Sequence, residues 1–221
     1  VYKRQIGDNK AATIATAIRG VNPEAAIDVY QEGVTPENLD DFLDGADLLV
    51  DETEITTPTI ALMLARAARD LGIADMTVLN IGFSCLATSF VPDGKTFESV
   101  LGILPGAEDT DVPLANWLAY LPPYVDIGVL EQVSVGTIAI PSVAPGVAVA
   151  AAVGATQATL HLVRRANPNT FRPRPVTAPR ALMVDVMTGR SKRLALSRWN
   201  HRRHVLAMLV ASKRGKTPRS G

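Results

Sequence analysis

The sequence predicts an α/β fold whose sheet is parallel at first and antiparallel later. Over the first 90 residues, helical patterns of apolar residues alternate with short apolar runs that are typical of buried strands. Two later apolar runs, Met76–Phe83 and Leu86–Val91, follow each other with no helix between them, and the second ends at the turn residues Pro92-Asp93-Gly94. Adjacent strands without a crossover helix indicate an antiparallel extension of the sheet.

The first two helices are indicated by their end signals. A helix is predicted over Asn9–Gly20, with Asp8 as its N-cap residue. A strand is predicted over residues 25–30. The second helix is expected to begin at Thr35 and to stop at Gly45, because a glycine commonly ends a helix.

The next elements follow the same alternation. Residues 47–51 form a short apolar run that predicts a buried parallel strand, and Thr57-Pro58 begins an amphipathic helix that Gly72 ends. Strands are then predicted at Met76–Phe83 and Leu86–Val91. This order places one helix as the crossover between two parallel strands.

The second half of the chain is less regular. Prolines interrupt residues 102–136, and a long alanine- and valine-rich helix is predicted from about 145 to 165. Its neighbourhood, 138–163, is the most membrane-like part of the chain, but its prolines, glycines and polar residues favour a buried central helix. A proline- and arginine-rich linker, 166–180, precedes a predicted basic hairpin and helix in 181–221.

Three charged residues stand out as candidates for chemistry. Lys10 lies in the first turn of a predicted helix, where a cation opposes the helix dipole unless an anion such as a phosphate binds there. Asp51 and Glu54 follow a buried strand, and ligands of open α/β sheets bind beyond the carboxyl ends of strands. A cation and carboxylates at these places suit a nucleoside triphosphate with Mg²⁺.

Four short motifs, in order, carry a resemblance to a known family. They are Gly7-Asp8-Asn9-Lys10, Asn22-Pro23, Asp51-Glu52-Thr53-Glu54, and a later helix that begins near Pro145 and contains Gln157-Ala158. In this order and spacing the chain resembles the ThiF/MoeB/HesA family, the adenylyltransferases related to ubiquitin-activating enzymes.

The resemblance implies a Rossmann-like, ThiF-type three-layer sandwich and a homodimer. It implies an enzyme that uses ATP and Mg²⁺ to adenylate the C-terminal carboxylate of a ubiquitin-like or sulfur-carrier protein. Lys10 would contact the ATP phosphates, and Glu54 stands where the family has a metal-binding aspartate. Asp51 is a candidate cofactor-binding residue, with a structural role in capping nearby backbone amides as the alternative.

The beginning of the chain predicts a truncated domain. Residues 1–5 back-translate to the end of a transposase adapter, so we interpret them as a non-native leader. The remainder, 6–165, is interpreted as a partial nucleotide-binding domain that lacks its first βαβ unit, because no G-x-G-x-x-G motif occurs. On this interpretation the fragment itself is inactive and the activity belongs to the parent protein.

Two other functions stay open beside adenylation of a carrier protein. One is adenylation of a peptide or a small-molecule carboxylate, since no residue in the sequence identifies the acceptor. The other is a non-catalytic homologue that binds a nucleotide or a partner. The replacement of the family's aspartate by Glu54 and the lack of a second cysteine favour that alternative slightly.

Charge and cysteine content limit the remaining possibilities. Residues 160–221 hold 15 Lys and Arg and one acid, whereas 1–159 hold 7 Lys and Arg and 21 acids, so a net charge of zero hides a basic C-terminal part that could contact an acidic partner. The single cysteine, Cys85, excludes a disulfide framework and a four-thiolate zinc site, and it suits the cytoplasm. Cys85 lies between apolar runs, so we expect it to be buried and without a chemical role. His161, His201 and His204 are interpreted as non-catalytic.

Overall fold

The computed structural model describes residues 7–53, 58–103, 124, 129, 132, 142–169 and 173–196. The chain divides into two units, Val1–Phe42 and Leu43–Gly221, and each is described by itself.

Helix α1, Lys10–Val21, forms the regular part of the first unit. Its N-cap residue is Asn9, whose Oδ1 accepts a hydrogen bond of 3.1 Å from the backbone N–H of Ala12. The prediction that Asp8 caps this helix was therefore wrong by one residue. The Asn9 amide also donates to the carbonyl of Gln31 at 2.9 Å, so one side chain caps the helix and fixes the chain that returns past it.

Two predicted elements of the first unit differ in the structure. Residues 25–30 contain no strand. The guanidinium of Arg19 donates to the carbonyl of Ile27 at 2.9 Å and so takes the place of a hydrogen bond from a neighbouring strand. Helix α2 covers only Leu39–Leu43. It begins later than predicted because the side chain of Asn38 accepts from the Thr35 N–H at 2.8 Å and holds the preceding residues in a turn.

A five-stranded mixed sheet forms the centre of the second unit. Its strands lie in the order β1-β2-β3-β4-β5, and only the first pair is parallel. The predicted change from parallel to antiparallel pairing is confirmed, and the C-terminal hairpin continues the same sheet. The strands are β1 (Leu48–Asp51), β2 (Ala74–Ile81), β3 (Ser84–Phe90), β4 (Arg180–Asp185) and β5 (Arg190–Ala195).

Helices cover both faces of this sheet. They are α3 (Pro58–Asp70), α4 (Phe97–Leu101) and α5 (Ala144–Ala166). Neighbouring residues of β3 point to opposite faces, so Leu86 packs with the α3 and α4 residues, whereas Cys85 and Ala87 pack with Ala150 of α5. The second unit is thus a three-layer α/β sandwich. The core on the α3 side consists mainly of Ala61, Leu62, Ala65, Leu86, Phe90, Phe97, Leu101, Ala181 and Met183.

Helix α5 is less buried than the sequence predicts. Its sheet-facing side buries Gly146, Ala150 and Gln157, and its other side is exposed. By length and composition this helix could cross a membrane, and it is the one described helix of which that is true.

The start of α5 lies very close to the β2–β3 turn. A Cβ atom on Gly146 would stand 1.9 Å from the carbonyl oxygen of Gly82, which itself has a φ of 57°. Ser142, just before the helix, forms a bridge with Gly82 and hydrogen-bonds the side-chain amide of Asn80. Only glycine fits at 146, so this contact sets how α5 lies on the sheet.

Candidate functional site

The carboxyl end of β1 carries the first sequence-predicted site residue. Asp51 is the last residue of the strand and is only 3% exposed. Its Oδ1 accepts a hydrogen bond of 2.8 Å from the N–H of Thr53, which turns the chain away from the sheet. This is the capping of a nearby amide that the sequence indicated as the alternative role, and binding of a cofactor by Asp51 stays a prediction.

A second buried acid, Asp75, lies on the neighbouring strand. In the parallel register Asp51 pairs with Thr77 and Leu49 pairs with Asp75, so the two carboxyls lie on the same face as diagonal neighbours. Asp75 is 2% exposed and is opposite Phe90, a member of the apolar core on the α3 side. Within the described part of the chain, neither of its carboxyl oxygens has a hydrogen-bond partner.

The protonation of these acids follows from their surroundings. Burial, and then the charge of Asp51, raises the pKa of Asp75 to about 8. The same two causes raise the pKa of Glu52, the residue after β1, to about 7. Asp75 is therefore mostly protonated at neutral pH, and Glu52 is close to its midpoint. The end of β1 thus holds less negative charge than its three carboxyl groups suggest.

The other two candidate residues are not brought into this group by the described structure. Lys10 is the first residue of α1, is exposed, and belongs to the first unit, whereas Asp51 belongs to the second. Glu54 lies outside the described residues. Their roles toward phosphate and metal stay predictions.

The carboxylates suit a hard cation only in part. Asp51 and Glu52 offer oxygen ligands, the kind that Mg²⁺ prefers. In the described ranges, however, no three His, Cys, Asp or Glu residues are arranged to hold a metal ion. A Mg²⁺ ion held by one or two carboxylates together with substrate phosphates agrees with both facts, because this ion commonly keeps phosphate and water ligands.

The remaining candidates have structural surroundings. Cys85 is fully buried, as predicted, and burial raises the pKa of its thiol. His161 of α5 is half-buried, and its Nε2 lies 2.8 Å from the Oγ of Ser89, a residue with no exposed surface. Burial lowers the pKa of His161. The pair joins α5 to β3 without access for a substrate. His201 and His204 lie outside the described residues.

Sequence reasoning missed Asp75 and Glu52. The signal for Asp75 is a single acid inside the apolar run from Ile73 to Leu79, at a position where the strand alternation places a side chain in the core. An isolated carboxyl in such a run is costly to bury, which is a reason to expect a shifted pKa there. Glu52 gives no comparable signal, because an acid directly after a strand is common and its surroundings depend on how the chain turns after β1.

Comparison with known proteins agrees with this geometry. The model of the ThiF family matches residues 2–205, which is most of the chain, so this protein belongs to the ThiF family. The resemblance inferred from the sequence is thereby confirmed, as is the Rossmann-like α/β class.

Three similar proteins show how far the likeness extends. Protein MT1398 of Mycobacterium tuberculosis is 35% identical over 68 residues, which are 31% of this chain and 10% of that protein. The SAMP-activating enzyme E1 of Haloferax volcanii is 28% identical over 119 residues, covering 46% of this chain and 43% of the enzyme. The crystal structure of E. coli MccB with MccA-N7isoASN matches with a TM-score of 0.59 at 13% identity, covering 87% of this chain and 50% of that one. The chain spans at most about half the length of these proteins.

Proposed function

We propose that the protein containing this chain adenylates the C-terminal carboxylate of a ubiquitin-like or sulfur-carrier protein. In this reaction a carboxylate oxygen forms a bond to the α-phosphorus of ATP while the bond from that phosphorus to the bridging oxygen breaks. The products are an acyl adenylate and pyrophosphate. No cysteine of this chain takes part in the proposed reaction, since Cys85, its single thiol, is buried.

The observation that carries this proposal is membership of the ThiF family over residues 2–205. Two of the similar proteins support it by their names: one is an enzyme that activates SAMP, and MccB has been crystallised with the nucleotide AMPCPP and with MccA. Each name pairs the protein with a second molecule, SAMP or MccA. The proposal extends that kind of acceptor to this protein.

Each candidate residue has a role in the proposed reaction. Lys10 neutralises charge on the phosphates at the start of α1, where free backbone N–H groups also favour an anion. Glu54 binds Mg²⁺, which draws charge from the phosphates as pyrophosphate leaves. Asp51 fixes the turn after β1 through its bond to Thr53 and so positions the residues that follow.

The test is pyrophosphate exchange into ATP by the full-length gene product, measured with and without a carrier protein. Exchange that needs a carrier ending in a free carboxylate is expected. Glu54→Ala should lower it roughly 10²–10³-fold, as for loss of one electrostatic contact to the transition state. Glu54→Asp should retain it, and Glu32→Ala, which removes an exposed acid elsewhere in the chain, is the matched control.

The acceptor is decided by the same assay. Exchange with a short peptide but with no carrier protein would replace the carrier by a peptide substrate. If no carboxylate supports exchange, the proposal is wrong and a binding module becomes the better account.

A further inference from the structure

Strand β5 forms one edge of the sheet and is unusually basic. Arg190, Lys192 and Arg193 are exposed on it, and Arg180 is exposed at the start of β4. The register pairs Arg180 with Ala195 and Leu182 with Arg193, so Arg180 and Arg193 are diagonal neighbours on one face, whereas Arg190 and Lys192 lie on the other. The edge thus presents cations on both faces.

Two residues in the middle of β5, Ser191 and Arg193, turn their backbone groups away from β4. Leu196 donates its N–H to the carbonyl of Pro179 at 2.6 Å, so these two residues form a hydrogen-bonded pair. Hydrogen-bonded and non-hydrogen-bonded pairs alternate along an antiparallel ladder. By this alternation Arg190 and Lys192 bond to β4, and Ser191 and Arg193 turn their N–H and C=O groups outward.

The pairing of β4 with β3, on its other side, agrees with this alternation. Val186 donates to the carbonyl of Phe83 in β4's ladder with β3, so the even-numbered residues of β4 bond to β3 and the odd-numbered ones bond to β5. Arg190 and Lys192 lie opposite Asp185 and Met183, two odd-numbered residues of β4, so both bond to β4. No described strand pairs with the outer side of β5.

None of the four cations makes an ion pair with another described residue. Asp185, the one acid in residues 160–221, is the cross-strand partner of Arg190, and it accepts hydrogen bonds from the N–H groups of Met187 and Thr188, at 3.0 and 3.1 Å, in the hairpin turn. Four cations and one described acid at the edge leave a net positive charge among these five residues.

We propose that β5 is a docking edge for an acidic, extended polypeptide segment of another protein, which adds to the sheet as a sixth strand. Main-chain hydrogen bonds to Ser191 and Arg193 would supply the pairing, and carboxylates at alternating positions, which all lie on one face of a strand, would meet Arg190 and Lys192. The outward backbone groups favour a polypeptide over a nucleic acid or a lipid surface, because neither of those offers a matching ladder of N–H and C=O groups. This inference is independent of the proposed adenylation.

The experiment measures fluorescence anisotropy of a labelled peptide of alternating glutamate and threonine, titrated with the full-length protein at physiological salt. Saturable binding is expected. A peptide of the same charge with two prolines between successive glutamates adopts a polyproline helix rather than a strand and loses N–H groups on both sides. It should bind at least tenfold more weakly, since the ladder bonds that it loses are worth about a factor of ten each.

Two substitutions separate the backbone from the charge. Ser191→Pro removes one outward N–H without touching a cation or the bonds to β4, and it should weaken binding about tenfold. Ser191→Ala is the matched control and should bind normally. Lys192→Glu tests the charge and should weaken binding by a similar factor, with thermal unfolding used to show that each variant is folded.

The following results would contradict the proposal. Equal affinity for the proline-containing peptide, or unchanged binding by Ser191→Pro, would show that charge alone attracts the peptide and would overturn strand addition. Tighter binding of single-stranded DNA or of phosphatidylserine vesicles than of the acidic peptide would overturn the choice of partner.

Discussion

Replacing Asp75 with asparagine should stabilise the protein, and the gain should grow with pH. The buried carboxyl has a pKa of about 8 in the folded chain against an ordinary value of 3.8. Between these values the unfolded chain releases a proton that the folded chain keeps, so stability falls as pH rises and the loss is complete above about pH 8.

The magnitude follows from the same shift. At pH 7 the penalty spans the interval from 3.8 to 7, and at about 1.4 kcal/mol for each pH unit this amounts to about 4 kcal/mol. Asparagine has nearly the shape of a protonated aspartate and stays neutral. Asp75→Asn should therefore match the unmodified protein near pH 4 and exceed its free energy of unfolding by about 4 kcal/mol at pH 7.

Urea denaturation of both proteins at several pH values between 4 and 8 measures this difference. Asp93→Asn, which changes an exposed turn carboxylate, is the control and should not show the gain of about 4 kcal/mol at pH 7 expected of Asp75→Asn. A difference between Asp75→Asn and the unmodified protein that is constant with pH, or a variant that is less stable throughout, would refute the assignment of a buried, protonated Asp75.

Three further predictions concern packing and titration. Gly146→Ala should destabilise by about 1–3 kcal/mol in urea denaturation, because the new methyl would overlap the carbonyl of Gly82. Gly20→Ala in helix α1, where nothing lies within 4 Å of the new methyl, should not destabilise; equal effects would contradict the close contact. The lowered pKa of His161 predicts that the free energy of unfolding falls as pH drops below about 6.5, because the unfolded chain then gains a proton that the folded chain resists. In urea denaturation at pH 5 and pH 7, His161→Gln should remove this part of the pH dependence. An unchanged difference in stability between the two pH values would contradict this prediction. The Cys85 thiol should react with a thiol reagent only after unfolding, and Cys85→Ser should leave carrier-dependent pyrophosphate exchange by the full-length protein intact; a rapid reaction in the folded protein would contradict its burial.

Sequence patterns predicted well those helices and strands in which buried residues recur at regular intervals. The apolar run before Asp51 and the amphipathic pattern of α3 were placed within about a residue of their positions in the structure, since periodic burial and terminal glycines define them. The β2–β3 pair was also predicted as antiparallel, because its connection is too short for a crossover, but both strands begin two residues earlier in the structure than predicted.

The predictions that failed depend on single side chains. A strand over residues 25–30 was expected from local composition, but Arg19 occupies the carbonyl of Ile27 and no described strand is paired there. The second helix begins late because Asn38 takes up the amide of Thr35. Such side-chain bonds compete with regular structure and leave no periodic signal.

The candidate site was predictable only where a family motif fell on it. Asp51 was identified from its position after a buried strand. Asp75 was not, because its nearness to Asp51 comes from the register of β1 against β2, which the sequence does not state. The raised pKa of Asp75 likewise depends on burial that arises only after the layers pack.

The central claim is that this protein activates a carboxylate with ATP and that Lys10 binds the phosphates. Steady-state pyrophosphate exchange by the full-length protein, with a carrier ending in a free carboxylate, tests it most directly in a comparison of Lys10→Ala with the unmodified protein and with the control Lys95→Ala, which removes another exposed lysine. The account predicts that Lys10→Ala lowers exchange by about 10²–10³ while Lys95→Ala leaves it unchanged. Normal exchange by Lys10→Ala would contradict the assigned phosphate site, and absence of exchange in the unmodified protein would contradict the activity itself.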